Sequence, residues 1–421
     1  MWAIADQGLF ALANVALNVL LARWLNPEAY GAFAAGYALY LFIGAFHTAL
    51  LTEPLLVFGA GKFANQAGRY FALLSRGHWL LTGMGSLLLI IAGGLLSLYG
   101  LSSLSQAMFG LALGAPFSLL IWLGRRAAYL QFKTNLATAA SAGYLLLLVS
   151  GLLTLALSHW LSIFTALVAM SVAGAISGCW LTQRLRQSIA AQGDAGGELV
   201  AARSVALDHW RYGRWAAATA VLMWVPLNLF FVVLSVLVNF EASATLKALS
   251  NLVLPLLQAN AALGSLLLPA MVMRARNQEQ FKKLLGFSLV LFAVAAVIYA
   301  LVVGLFSQPL LHLLYGGGYD SHAKLLWLLL LIPLTDGVMV VTSSALRSLE
   351  RPDRVFWAQL VVAGFVLLAG VAATRASGLW GAACAIVVAD LLGTIILGIG
   401  VLSQLQHRTS AKAIAVVEAA G

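Results

Sequence analysis

Leu284-Leu285-Gly286-Phe287-Ser288-Leu289-Val290-Leu291-Phe292-Ala293-Val294-Ala295-Ala296-Val297-Ile298-Tyr299-Ala300-Leu301-Val302-Val303-Gly304-Leu305 runs from end to end without a charge. Coiled as an α-helix at about 1.5 Å per residue, it is about 33 Å long, enough to cross a hydrocarbon core. A strand of a transmembrane barrel would instead alternate apolar and polar residues over about ten positions, and this stretch does not alternate. A helix satisfies its own backbone, which is what lipid demands. Working outward, eleven further apolar runs begin near Gln7, Phe33, Trp79, Leu104, Ala137, Trp160, Trp215, Lys247, Leu325, Val355 and Leu379. The expectation is an all-α integral membrane protein of about twelve spanning helices. Composition agrees: 62% of residues are hydrophobic and 9% charged, against about 25% charged in a soluble domain. Met1 to Ala5 lacks the basic region of a cleavable leader, so the first helix itself is expected to direct insertion.

The formal charge of +10 raises the question of a nucleic-acid partner, and the placement of the basic residues answers it. With the N-terminus inside, all of the 24 lysines and arginines except Arg23, Lys247, Lys324 and Arg375 fall in cytoplasmic connections or the C-terminal tail. That one-sidedness is the positive-inside pattern, so it reports orientation rather than an anionic polymer. Both termini are expected in the cytoplasm, and no nucleic acid is expected as a partner. Cys179 and Cys384 fall inside spans as small apolar residues, with no disulfide framework implied. The histidines lack the paired spacing of a metal site. Gly316-Gly317-Gly318 lacks the Lys-Ser/Thr of a phosphate-binding loop, which excludes transport driven by the chain's own nucleotide hydrolysis.

The connection from Gln183 to about Trp210 has a middle rich in Ala, Gly, Asp and Glu and reads as a linker. It suggests an N-terminal six-helix lobe over 1–187, a linker over 188–208, a C-terminal lobe over 209–403 and a tail over 404–421. The halves echo one another weakly: Asn26-Pro27-Glu28-Ala29 follows the first span and Asn239-Phe240-Glu241-Ala242 the seventh. Pro116 and Pro333 fall in mid-span in the fourth and tenth. An even number of spans per half makes the repeats parallel, related by an axis along the membrane normal. Gly110 with Gly114, and Gly174 with Gly178, have the spacing that lets helices approach closely.

Polar groups at bilayer depth are costly, and they tend to face protein or a water-filled cavity. Asn14 and Asn18 each lie within about 20° of Gln7 around the first helix. Lys247, Asn251 and Gln258 form a second stripe on the eighth, with Asn260 one position away. Tyr37, Tyr40, Gly44 and His47 follow one another along the second span, which ends in Glu53-Pro54. Together the stripes suggest a hydrated substrate pathway between the lobes. Each amide alone reads as ordinary interhelical hydrogen bonding worth about 0.6 kcal/mol. Lys247 reads equally as a pathway cation or as a side chain reaching the outer headgroups. Asp336 and Asp390 lie within the tenth and twelfth spans as candidate pathway carboxylates, ion carriers or partners of an unidentified donor. Arg125, Arg126 and Arg347 close inner helix ends, where they serve either topology or an entrance ring for an anionic head group.

Several segments resemble the multidrug/oligosaccharidyl-lipid/polysaccharide exporter superfamily, in particular its bacterial polysaccharide flippases. They are Asp6-Gln7-Gly8, Arg23-Trp24-Leu25-Asn26-Pro27-Glu28-Ala29-Tyr30-Gly31-Ala32-Phe33 and Glu53-Pro54 in the first half. The second half supplies Tyr212-Gly213-Arg214-Trp215, Asn251-Leu252-Val253-Leu254-Pro255, Leu310 to Tyr319, and Ala345-Leu346-Arg347. The resemblance implies two pseudo-symmetric six-helix lobes working by alternating access in the bacterial inner membrane. The cargo implied is an O-antigen-type, lipid-linked oligosaccharide on a polyprenyl diphosphate, with membrane lipids and polysaccharide-assembly proteins as partners. The sequence departs from the family in one respect: its cavity-candidate cations are few, chiefly Lys247, with His47 if protonated. No cofactor or catalytic residue is expected, and coupling to H+ or Na+ is left open. The rival reading is a cation-coupled multidrug exporter on the same fold, using His47, Glu53, Asp336 or Asp390. A membrane glycosyltransferase or polymerase fits less well, because the outer loops are short.

Overall fold

The protein, described here as a computed structural model, is defined over residues 2–59, 61–63, 66–192, 201–275 and 277–420, with side chains described except at 190–192, 265 and 407–420. The middle of the expected linker (193–200) lies outside these residues, as do the side chains of Arg276, Arg408 and Lys412. The linker's flanks are helical. Among the described residues, eleven helical segments are long and apolar enough to cross a membrane. The last, Pro352–Gln406, is two helical stretches joined at a kink at Gly378 (φ 57°, ψ −131°), a conformation suited to glycine. It therefore supplies two crossings, which makes twelve.

Contacts divide the chain into two compact units, Met1–Trp224 with Asn239–Ala244, and Val225–Val238 with Thr245–Gly421. The first unit contains α1 (Trp2–Trp24), α2 (Pro27–His47), a π-helical turn Thr48–Thr52, α3 (Glu53–Gly59), α4 (Ala67–Leu98), α5 (Ser102–Leu130), α6 (Thr134–Leu157) and α7 (Ile163–Gln192). It also takes the front of α8 (Ala202–Leu237) and the start of α9 (Phe240–Arg274).

The two-part echo in the sequence proves to be a pair of helix caps. Asn26 Oδ1 accepts from the Ala29 N–H at 2.7 Å, and Asn239 Oδ1 accepts from the Ala242 N–H at 2.7 Å. Asparagine is a favoured cap because its short side chain reaches an otherwise unpaired N–H. The α2 start packs directly on that of α9: a Cβ on Gly31 would lie 1.7 Å from the Phe240 carbonyl oxygen.

At the centre of the unit is α5, largely buried, while α4 is largely exposed. Both glycine pairs lie where α5 meets α7. A Cβ on Gly110 would meet Leu167 at 2.8 Å, and one on Gly174 would lie 3.0 Å from the Ser118 backbone. Pro116 sits inside α5 and cannot donate to the Ala112 carbonyl. Ser86 of α4 donates to it instead at 2.6 Å.

The second unit continues α8 and α9 and adds α10 (Gln278–Leu305), α11 (Ser307–Tyr315), α12 (Ala323–Leu329), α13 (Ile332–Ser348), α14 (Pro352–Phe365) and α15 (Val371–Ala420). Its core clusters around Met271, Phe281, Phe292, Leu346 and Leu397. Pro333 falls in mid-span as expected, within Asp320–Ser348, but the span is not one helix there. The tenth span divides into α12 and α13, and Pro333 occupies the first turn of α13, where its missing N–H is harmless.

Candidate functional site

Each unit carries its own polar centre. In the first, Asp6 and Phe10 are four residues apart on one face of α1, and Arg125 and Tyr129 are four apart on α5. Asp6 is fully buried and Arg125 is 8% exposed. The guanidinium donates from Nε at 3.0 Å to Oδ1 and from its terminal nitrogen at 2.8 Å to Oδ2. Tyr129 donates to Oδ2 at 2.7 Å, and Ser141 of α6 donates to Oδ1 at 2.5 Å. The guanidinium also lies over the Phe10 ring, 4.1 Å from its centroid. Both carboxylate oxygens are thus doubly served, and three helices are tied at one point.

From this cluster a ladder of rings extends through Phe10, stacked on Tyr144 at 5.5 Å, to Trp122, Tyr40, Tyr37, Phe33 and Tyr30. Tyr37 donates to Asn14 Oδ1 at 3.3 Å, and the Asn18 amide donates to the Asn14 carbonyl of its own helix at 2.8 Å. Gln7 is exposed and approaches Tyr129 at 3.5 Å.

At the end of α2, His47 Nε2 lies 2.9 Å from His78 Nδ1 of α4, and both rings are fully buried. One ring donates to the other. His47 Nδ1 has no hydrogen-bond partner among the described residues. The π-helical turn follows, and here Pro54 cannot donate to the Leu50 carbonyl. His209 of α8 donates to that carbonyl from Nδ1 at 2.8 Å, so its Nε2 accepts from the Tyr70 hydroxyl at 2.8 Å. Close by, Tyr212 donates to Glu53 at 2.8 Å, and Lys62 pairs with Asp208 at 2.5 Å.

In the second unit, Lys247 is 6% exposed, with its ammonium 4.9 Å from the Phe231 ring centroid. Asn251 approaches the Tyr315 hydroxyl at 3.5 Å, and that hydroxyl donates to the Ala248 carbonyl at 2.9 Å. Asn260 donates to Asp336 at 2.9 Å and to the Pro333 carbonyl at 3.0 Å. Asp390 is half-buried and near enough to Asp336 to interact electrostatically; its carboxylate has no hydrogen-bond or ion-pair partner among the described residues. Thr394 ties the region together by donating to the carbonyls of Asp390 at 2.8 Å and Thr335 at 3.2 Å.

Of the residues singled out by sequence, Asn14 meets Tyr37, Glu53 meets Tyr212, and Asn260 meets Asp336. Arg125 lies in the interior, while Arg126 and Arg347 are exposed. Gln258 is exposed, apart from its stripe-mates Lys247 and Asn251, which are buried. Sequence reasoning passed over Tyr129, Ser141, His78 and His209, and took Asp6 only as part of the Asp6-Gln7-Gly8 resemblance. The signal available was slight: an arginine and a tyrosine four apart, and a carboxylate beside Gln7 in an apolar helix.

The sequence matches no protein-family model, and no curated protein is similar enough to align with it. Solved structures do share its fold. An inward-facing multidrug-resistance MATE transporter of the MOP superfamily superimposes with a TM-score of 0.78 at 14% identity, covering 97% of this chain and 98% of that one. The lipid II flippase MurJ, in an inward closed conformation, gives 0.73 at 14% identity, covering 95% and 87%. A eukaryotic MATE transporter gives 0.66 at 16% identity, covering 95% and 93%. The architecture is therefore a MATE-like, multi-span membrane fold, and these neighbours are transporters or flippases rather than enzymes.

Proposed function

We propose that the chain is a transporter that moves an anionic, lipid-linked oligosaccharide from the inner to the outer leaflet of a bacterial cytoplasmic membrane. Lys247 carries this reading: it is a cation buried within the second unit, beside Asn251, at the head of the polar stripe of α9. Such a group favours a diphosphate and disfavours a cationic drug. The buried carboxylate of the first unit offers no attraction to a cationic drug either, because Arg125 neutralises Asp6. The fold shared with a lipid II flippase supports the same class of cargo.

The Asp336–Asp390 pair supports coupling to H+ or Na+. Asp336 has one neutral donor and Asp390 none among the described residues, so a proton or a small cation would complete the site. The same pair favours the second reading, a cation-coupled multidrug exporter, for which the MATE neighbours speak. The membrane field contributes about 2.3 kcal/mol per charge per 100 mV, so a dianion moving outward gains energy even without coupling.

Deleting the gene in its host separates the two readings. Loss of surface polysaccharide with accumulation of the lipid-linked precursor on the inner leaflet is the expected result. Unchanged polysaccharide together with increased drug susceptibility would establish the exporter instead.

A further inference from the structure

A cavity of about 500 Å³ opens between the charge-rich ends of α4 and α7, built by the first unit alone. Ala72, Arg76 and Trp79 reach it from one face of α4, and Arg186 and Ile189 from one face of α7. Both arginines are exposed, and neither has a carboxylate partner among the described residues. Two guanidinium groups facing one cavity repel each other unless an anion lies between them, and their forked donors match phosphate oxygens. Trp79 is 43% exposed and meets Phe117 edge-on at 5.6 Å. Trp is the residue enriched where headgroups meet acyl chains. With Phe71 and Ile189 it gives the cavity an apolar wall that a soluble anion does not need.

We propose that this cavity binds the phosphate of an anionic membrane phospholipid in the cytoplasmic leaflet, with Arg76 and Arg186 as its ligands and Trp79 at the glycerol level. The site adjoins the His47–His78 pair, whose His78 ring meets Trp79 edge-on at 5.1 Å, but neither histidine lines it, and its occupant is a resident lipid rather than cargo. It rests on the cytoplasmic orientation read from the basic residues and not on the identity of the transported molecule.

The test is native mass spectrometry of the purified full chain in a non-ionic detergent, titrated with phosphatidylglycerol or phosphatidylcholine. The wild-type chain is expected to retain phosphatidylglycerol selectively. Losing two cationic contacts is expected to weaken that retention about thirtyfold in Arg76→Gln/Arg186→Gln. Arg76→Lys/Arg186→Lys, which keeps the charge, is expected to retain the lipid selectively. Elution volume and melting temperature without added lipid show that each variant is folded. Equal retention by wild type and the glutamine variant would overturn the proposal. So would an equal loss in Arg203→Gln/Arg211→Gln, since the effect would then be one of general charge. Displacement of the lipid by millimolar inorganic phosphate would show a soluble-anion site and overturn the lipid assignment.

Discussion

Asp6 shows how far one residue can escape a reading of sequence. In the chain it is a single acid near the start of an apolar helix, and its partners come from positions 119 to 135 residues away. Nothing in local spacing joins Asp6 to Arg125, whereas Asn14 and Asn18 were visible because periodicity alone puts them on one face. The ion pair is buried, so removing one partner strands the other charge: Asp6→Ala is expected to cost about 3–5 kcal/mol. Asp6→Ala/Arg125→Met should recover much of that loss, as read by thermal unfolding in detergent. Lys247 makes a different prediction, about activity. Lys247→Ala and His47→Ala should each lower export in cells while membrane abundance stays at the wild-type level. Full export in both would show that these residues only pack.

Helices and their caps were partly legible and their interruptions were not. The repeated Asn-x-Glu-Ala reads as an echo, and the structure supplies its cause, two asparagine caps that each bond the N–H three residues on. The π-helical turn at Thr48–Thr52 leaves no such mark, since its backbone is stabilised by His209 from a distant helix. Pro116 was visible, but its compensating donor Ser86 was not. Ser86→Ala should strand the Ala112 carbonyl and cost about 1–3 kcal/mol. Adding Pro116→Ala restores an N–H to the helix, so the double variant should regain most of the stability. A larger loss in the double variant than in Ser86→Ala would show that the carbonyl is not the cause. Gly31→Leu should fail more completely, because any side chain there overlaps the Phe240 backbone. Little folded protein is expected from it on size-exclusion chromatography.

For the molecule as a whole, apolar length carried most of the fold. Twelve crossings emerged from it, because each span must independently match the thickness of the bilayer. Orientation is testable in the same terms: a fluorescent protein fused after Gln406 should glow in cells, and alkaline phosphatase inserted at Gly318 should be active. What length cannot reveal is where one compact unit stops. The residues 209–224 and 239–244 come after the expected linker yet pack with the first unit. A gene split between codons 192 and 201 would therefore not yield two self-sufficient fragments. The first would display an uncovered face at the π-helical turn, and the second would begin with a helix lacking its neighbours. Co-expressed, the two should find each other and co-purify; expressed singly, each should be degraded, as in fragment complementation.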